Sequence, residues 1–381
     1  MATRLSRGNK RAGFTLVEFV IAMAITTVAL AATVLAFRDA TQVNQNVALN
    51  EDIADNMRAG LNLMEQDLIQ TATGIPTGGI AIPAKANSTC TSGFTNVKRP
   101  TLTASANYPN CSTVMPAIEP GFDLGPNATD QITILYQDNS LNLSQYPINP
   151  AAGIGAPNGG TGCAGSIDAL GASAKFDTNC VTSPSPSGAT INPGDLLLFS
   201  NANGNALVMV TSVAWPTVFF AAGDPFGLNQ TGLPCGTLLQ LRNGGQAAAT
   251  NPPTPCSTLA IPPTPITYPP TTVERITMVT YYLDNTSVPG HVELIRRINF
   301  NNGQTVGDTL QNLKFTYNFS DGVAVNETAV PAGYSENQIR SVNVSLGAQS
   351  DTVSEKTGRL IQTSVQTQVS LRSMTFYNQF P

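Results

Sequence analysis

The chain has 381 residues, of which only 11% are charged, and its formal net charge is −5 with a single histidine. This length allows one anchor helix plus one large or two modest globular lobes, and the acidic balance gives no sign of a nucleic-acid-binding surface. The 32 glycines and 27 prolines favour an exported, loop-rich β structure over a cytosolic enzyme.

The N-terminus consists of a short basic leader followed by an apolar run. Four basic residues and no acidic ones precede Gly13, and the run from Phe14 to Phe37 is almost wholly apolar apart from Glu18. A helix of that length spans about 36 Å, enough to cross a hydrocarbon layer of about 30 Å. The sequence therefore predicts a transmembrane helix over residues 14–37, with its basic flank on the cytoplasmic side.

Glu18 is the ionisable residue within this span, and such a residue usually has a functional partner. If the chain were cut after Gly13, the new α-amino group of Phe14 would lie one helical turn from Glu18. That amine could pair with Glu18 of the same chain or with Glu18 of a neighbouring chain.

The segment Gly13-Phe14-Thr15-Leu16-Val17-Glu18 resembles the class III signal of type IV prepilins and type II secretion pseudopilins. The glycine, the phenylalanine after it and the glutamate four residues further on all match. The resemblance implies cleavage by an inner-membrane prepilin peptidase, N-methylation of Phe14, and assembly of the mature helix into a filament core. Gly13 and Phe14 are thus predicted processing residues, and Glu18 is a predicted assembly residue.

Two other interpretations of the apolar run remain open. Ala29-Leu30-Ala31 resembles the cleavage site of a secretory signal peptide, but the apolar region of such a peptide is usually roughly 7 to 15 residues long. Here the run continues to Phe37. An uncleaved signal anchor is the second alternative, and it leaves the spacing from Gly13 to Glu18 unexplained.

The helix is predicted to continue well beyond the membrane. No proline precedes Pro76, and apolar residues recur at spacings of three and four from Val43 to Leu68, with Asp67 among the polar residues on the other faces. The glycine and proline of Thr73-Gly74-Ile75-Pro76 predict its end. We therefore predict one helix over 14–75, whose amphipathic part, 38–75, packs against an antiparallel sheet. A free coiled-coil stalk is the alternative.

The remaining chain changes character near residue 270. The region 76–270 is rich in loops and carries strand signals at 130–136, 195–199, 206–213 and 217–221. In contrast, 271–381 is dominated by strands with alternating apolar residues, such as Leu313, Phe315, Tyr317 and Phe319, and later Val365 and Val369. The pair Arg296-Arg297 is predicted to be a solvated surface pair. The expected fold is α+β, with a long membrane-spanning helix, an antiparallel sheet and a loop-rich, disulfide-bearing lobe.

The six cysteines all lie in the loop-rich region. An even number in a translocated chain indicates disulfides formed in an oxidising compartment. Successive cysteines bracket stretches rich in proline, glycine and asparagine, which favours sequential pairing, although crossed pairing remains open. The predicted pairs are Cys90 with Cys111, Cys163 with Cys180, and Cys235 with Cys256.

The sequence contains no nucleophile elbow, P-loop, zinc-protease or EF-hand motif. His291 follows Pro289-Gly290 and is predicted to be an exposed hairpin residue. Asp52 and Asp55 are predicted to face solvent from the helix. We therefore expect no enzyme activity, no cofactor and no metal.

C-terminal strands such as Ile339–Leu346 are similar to those of PilW-type minor pilins and J-type pseudopilins, and Asp195–Phe199 resembles the PilW type. The resemblance implies a PilW-type minor pilin of a type IV pilus, which would serve adhesion, twitching motility or DNA uptake. Before assembly it would reside in the inner membrane with a periplasmic C-terminal lobe. After assembly it would be part of a pilus on the cell surface. Its partners would be the prepilin peptidase and N-methylase and other major and minor pilins. The alternatives are a J-like minor pseudopilin of a type II secretion system and a membrane-anchored surface-binding module.

Overall fold

A computed structural model shows an α+β chain, as the sequence predicts, with a long N-terminal helix and antiparallel sheets. It divides into two compact units, Met1–Ala54 with Ser350–Ile361 and Asp55–Gln349 with Gln362–Pro381. The residues that the structure describes are 15–81, 98–100, 114–141, 143, 148, 165–168, 171–176, 190–229, 238, 241, 268–288 and 291–377.

The helices and strands of the described residues follow one another along the chain in a simple order. The helices are α1 Leu16–Gln70 and α2 Arg372–Tyr377. The strands are β1 Ile80–Ala81, β2 Val114–Met115, β3 Ile118–Gly121, β4 Gln131–Gln137, β5 Ser166–Ile167, β6 Ser173–Lys175, β7 Leu196–Asn201, β8 Gly204–Met209, β9 Ser212–Ala214, β10 Thr217–Phe219, β11 Thr272–Asp284, β12 Glu293–Ile298, β13 Gln304–Gly307, β14 Leu310–Phe319, β15 Ile339–Val353 and β16 Leu360–Ser370.

Helix α1 is continuous over 55 residues, as its lack of proline predicts. The amphipathic stripe is buried only towards its C-terminal end, where Met57, Met64 and Leu68 are inaccessible to solvent, whereas Val43 and Val47 are about half exposed. In this end of the helix a Cβ on Gly60 would lie 2.8 Å from Cδ2 of Leu294 on β12. Glycine therefore permits a close approach of helix to sheet.

The helix ends at Gln70 rather than near Gly74. The backbone leaves the helix because it hydrogen-bonds to β4 instead: the amide of Ala72 donates to the carbonyl oxygen of Leu135 (2.9 Å), and the amide of Gln137 donates to that of Thr73 (2.8 Å). Ala72 takes a positive φ of 68° in this turn. The glycine and proline signal thus marks the end of the connecting turn, not the end of the helix.

The largest sheet has seven strands and is built around β11. In this sheet β11 pairs antiparallel with β4, β7 and β12, and β3, β8 and β13 extend it. Its strands therefore come from both sides of residue 270. Most of β11 is buried, which matches the nearly continuous apolar run in its second half.

The predicted strand 206–213 is in fact two strands that belong to different sheets. The amide of Val210 donates to the carbonyl oxygen of Asp195 (2.8 Å) and closes the β7–β8 hairpin, whereas the amide of Thr211 donates to that of Phe219 (2.9 Å). The chain then enters the four-stranded sheet β5-β6-β10-β9. Phe199 of β7 packs edge to face against Phe220, which follows β10, in the apolar core between these strands. Their ring centroids are 5.7 Å apart.

The three-stranded sheet β14-β15-β16 shows the predicted alternation on β14, where Leu313, Phe315, Tyr317 and Phe319 are all buried. The expectation for β16 is only half met. Val369 is buried, but Val365 is 37% exposed, because β16 is the edge strand and only its end near Val369 is buried. The predicted loop 251–270 lies almost wholly outside the described residues.

Candidate functional site

The start of α1 is capped by a reciprocal pair of side chains. Oε2 of Glu18 accepts hydrogen bonds from the backbone amide (3.0 Å) and the hydroxyl (3.1 Å) of Thr15, and the amide of Glu18 donates to Oγ1 of Thr15 (3.3 Å). This is the capping-box arrangement, in which two otherwise unpaired helix-end amides find acceptors. Glu18 therefore lies at the helix end, and within the described residues its Oε1 atom accepts no hydrogen bond.

The first half of α1 presents apolar side chains on all sides. By length and composition this part of the helix could cross a membrane. Its threonine hydroxyls bond to carbonyl oxygens of the preceding turn, as Thr26 does to Ala22 (2.7 Å) and Thr33 to Ala29 (2.8 Å). They therefore need no water. The large apolar side chains, each between 54% and 81% exposed, are Leu16, Val17, Phe19, Val20, Ile21, Met23, Ile25, Val28, Leu30, Val34, Leu35 and Phe37.

This exposed apolar surface is too large to remain in contact with water. A contiguous apolar patch of such size is far beyond what a soluble monomer leaves in water, and it marks a membrane or protein contact. The Thr15–Glu18 cap places one carboxylate at the edge of this surface.

A second cluster fixes the other end of α1. Asp67 is 4% exposed, and its carboxylate accepts hydrogen bonds from the hydroxyls of Tyr136 (3.0 Å, Oδ1) and Tyr281 (2.6 Å, Oδ2). Arg296 donates two parallel hydrogen bonds to the same carboxylate, from Nε to Oδ2 (2.7 Å) and from Nη2 to Oδ1 (3.0 Å). We call Asp67, Tyr136, Tyr281 and Arg296 the Asp67 cluster.

Burial and the neighbouring charges keep every donor of the Asp67 cluster protonated. Burial, and then the charge of Asp67, raise the pKa of both Tyr136 and Tyr281 above its ordinary value. Burial alone would lower the pKa of Arg296, but the hydrogen bonds and charge of Asp67 raise it. The charge-assisted, bidentate geometry is the strongest form of such a pair. The cluster thus joins α1 to β4, β11 and β12 through one carboxylate.

The Asp67 cluster was not predicted from the sequence. Asp67 was predicted to lie on a polar helix face and Arg296 in a solvated surface pair, and both predictions are wrong because the two side chains form a largely buried ion pair. The available signal was the position of Asp67 between Met64 and Leu68, inside the apolar stripe, together with the two adjacent tyrosines of β11.

The other predicted site residues fall in three groups. Gly13, Phe14 and all six cysteines, Cys90, Cys111, Cys163, Cys180, Cys235 and Cys256, lie outside the described residues. Asp52 and Asp55 are exposed on α1. His291 is only partly exposed, and its Nδ1 lies 3.5 Å from Oδ2 of Asp308.

A model of the prokaryotic N-terminal methylation motif matches residues 8–34. The match includes Gly13, Phe14 and Glu18 and much of the exposed apolar surface. Neither curated proteins nor solved structures gave a match to the chain.

The chain therefore carries a type IV prepilin-like N-terminus, which supports a place among type IV pilins and pseudopilins. Such a motif implies processing by a prepilin peptidase and association with other pilins. The motif and the apolar helix together fit a membrane-anchored protein.

Proposed function

We propose that this protein is a minor pilin of the PilW type, which enters a type IV pilus or primes its assembly. The observation that carries the proposal is the start of α1, where a methylation motif extends into an exposed apolar helix surface with one carboxylate at its end. Lipid covers this surface before assembly, and the helices of neighbouring subunits cover it afterwards. The C-terminal lobe lies in the periplasm, and the protein has no catalytic role.

Glu18 sets the register between helices in this proposal. Its Oε2 atom is used by Thr15 of its own chain, which leaves Oε1 to accept a hydrogen bond from the methylated amine of Phe14 in an adjacent subunit. Little water reaches such a position among packed apolar helices, so the opposite charges attract more strongly than in water. One carboxylate thus serves both the helix cap and the subunit contact.

The Asp67 cluster and the buried end of the stripe give the assembled helix a firm connection to its sheet. Because Arg296 holds Asp67 in a bidentate pair, the last turns of α1 cannot slide along the sheet without breaking several hydrogen bonds. A force on the helix in a filament is thereby passed to the sheet.

Two variants of Glu18 separate the subunit contact from the cap. Glu18→Ala removes both, whereas Glu18→Gln keeps an oxygen that can accept from Thr15 and removes the charge. We expect both variants to be processed and to remain in the membrane, and both to be depleted from sheared pili relative to wild type at equal expression.

The fractions are compared by immunoblot of sheared pili and membranes, with Asp55→Asn, an exposed change on the same helix, as the control. Normal incorporation of Glu18→Gln would reduce the role of Glu18 to capping. Absence of the wild-type protein from pili, combined with a secretion defect in cells that lack it, would instead favour the J-like pseudopilin. If the lobe bound a surface but the chain never entered any filament, the protein would be an anchored binding module.

A further inference from the structure

The outer face of the sheet β14-β15-β16 carries neutral polar side chains around a groove of about 390 Å³. This volume falls within the range of about 300 to 1,000 Å³ that is typical of small-molecule sites. The groove takes side chains from all three strands and from the loop after β14. They include Lys314, Thr316, Asn326, Asn343, Ser345 and Gln366.

Part of this groove is already arranged by its own hydrogen bonds. Nδ2 of Asn343 donates to Oγ1 of Thr316 (3.0 Å) and to Oδ1 of Asn326 (2.8 Å). The amide of Asn326 in turn donates to Oδ1 of Asn318 (2.7 Å). The side chain of Asn343 is therefore held in one orientation, and among the described residues its Oδ1 accepts no hydrogen bond.

Other lining groups have no partner within the described part of the chain. The side chains of Ser345 and Gln366 make no hydrogen bond there, and Gln366 is exposed. A hydroxyl group and a carboxamide each offer both a donor and an acceptor. The groove thus presents mixed donors and acceptors, of which the side chain of Asn343 is held in place by hydrogen bonds.

Lys314, the cation among the described residues that line the groove, is paired with neighbouring carboxylates. Nζ of Lys314 lies 2.6 Å from Oδ1 of Asp123, 3.1 Å from Oδ1 of Asp130 and 2.6 Å from the carbonyl oxygen of Ala128. It therefore gives the groove little attraction for a phosphate or a carboxylate. The polar lining likewise gives little attraction to a lipid or an apolar helix.

Two ligand classes remain, polar peptides and saccharides, and the location of the groove on the sheet favours one of them. An extended peptide binds a sheet by adding to the backbone of an edge strand. The groove takes Asn343 and Ser345 from the central strand β15, whose backbone is paired with β14 on one side and β16 on the other, and Gln366, Thr367 and Gln368 from the edge strand β16. Recognition over β15 must rely on side chains, and hydroxyl-rich rings match such groups, whereas a peptide paired with the edge of β16 would leave the β15 side chains unused.

We propose that this groove binds a neutral saccharide. The sugar hydroxyls exchange hydrogen bonds with Asn343, Ser345 and Gln366 and displace water from them. The proposal does not depend on whether the protein serves a pilus or a secretion system, because it concerns only this sheet face.

The test is saturation-transfer NMR on the full chain in a detergent without a sugar headgroup. The probes are lactose, maltose and N,N′-diacetylchitobiose, each at millimolar concentration, with a Ser/Thr-rich peptide of similar mass as a competitor class. We expect transfer to at least one disaccharide. Gln366→Ala should weaken its binding about tenfold, the upper range for loss of one hydrogen bond.

Gln362→Ala is the matched control, because Gln362 is an exposed residue of the same strand and face but does not line the groove. It should bind as the wild type does. The proposal is overturned if no disaccharide receives saturation from the folded wild type, if both variants lose binding equally, or if only the peptide binds.

Discussion

Asp67 shows how a single carboxylate can hold a helix against a sheet. Its two oxygens together accept four hydrogen bonds, from two tyrosines and from the bidentate Arg296. Removing one partner of a buried ion pair lowers stability far more than replacing the whole pair with apolar residues, because the remaining charge stays buried without a partner. The cluster therefore specifies the register of helix on sheet.

We expect Asp67→Asn to lower the free energy of unfolding by about 3–5 kcal/mol, since Arg296 and two hydroxyls lose their common acceptor charge. Asp55→Asn should change it by less than about 0.5 kcal/mol, because Asp55 is 79% exposed and only 3.5 Å from an equally exposed Arg58. Urea unfolding of the detergent-solubilised chain, followed by circular dichroism, measures both. Equal effects of the two variants would show that the Asp67 cluster does not hold the helix in place.

Residue-level features of this kind were the least predictable from the sequence. The alternation on β14 and the motif at Gly13, Phe14 and Glu18 could be recognised, because each depends on local spacing. The Asp67 cluster could not, since its members lie 69 to 229 positions apart from Asp67 along the chain. Only the tertiary structure brings them together.

For single helices and strands, the sequence pattern predicted the type of secondary structure more accurately than its boundaries. The helix ends at Gln70 because the backbone after it hydrogen-bonds to β4. The strand predicted over 206–213 is two strands because its two halves pair in different sheets. Both boundaries depend on pairing partners that are distant in sequence. Periodicity reports a buried face but not which partner supplies the hydrogen bonds.

The last turns of α1 allow a sharp test of the buried stripe. Leu68 is fully buried and its neighbour Ile69 is 37% exposed. We expect Leu68→Ala to lower the free energy of unfolding by about 2–5 kcal/mol, through lost burial and a residual cavity, and Ile69→Ala to lower it by less than about 1 kcal/mol. The same urea measurement compares them. Similar losses would mean that the stripe does not pack against the sheet as described.

The whole chain combines a long, prepilin-like N-terminal helix with antiparallel β-sheets. In the proposed function, lipid and neighbouring helices cover the exposed half of α1, whereas its buried end packs against the sheet. The disulfides Cys90–Cys111, Cys163–Cys180 and Cys235–Cys256 stay a prediction for the loops. The polar groove adds a surface through which an assembled subunit could contact sugars.

The proposed subunit contact requires that the mature chain begin at Phe14, because the contact uses the free amine that this cut creates. Mass spectrometry of the N-terminal peptide from membrane-extracted protein, produced in cells that contain a prepilin peptidase, tests it most directly. We expect a peptide that starts with N-methylated Phe14. We expect this peptide to be missing from Gly13→Lys, which should accumulate uncut in the membrane. A mature peptide that starts at Ala32, or an intact leader in the wild type, would contradict it.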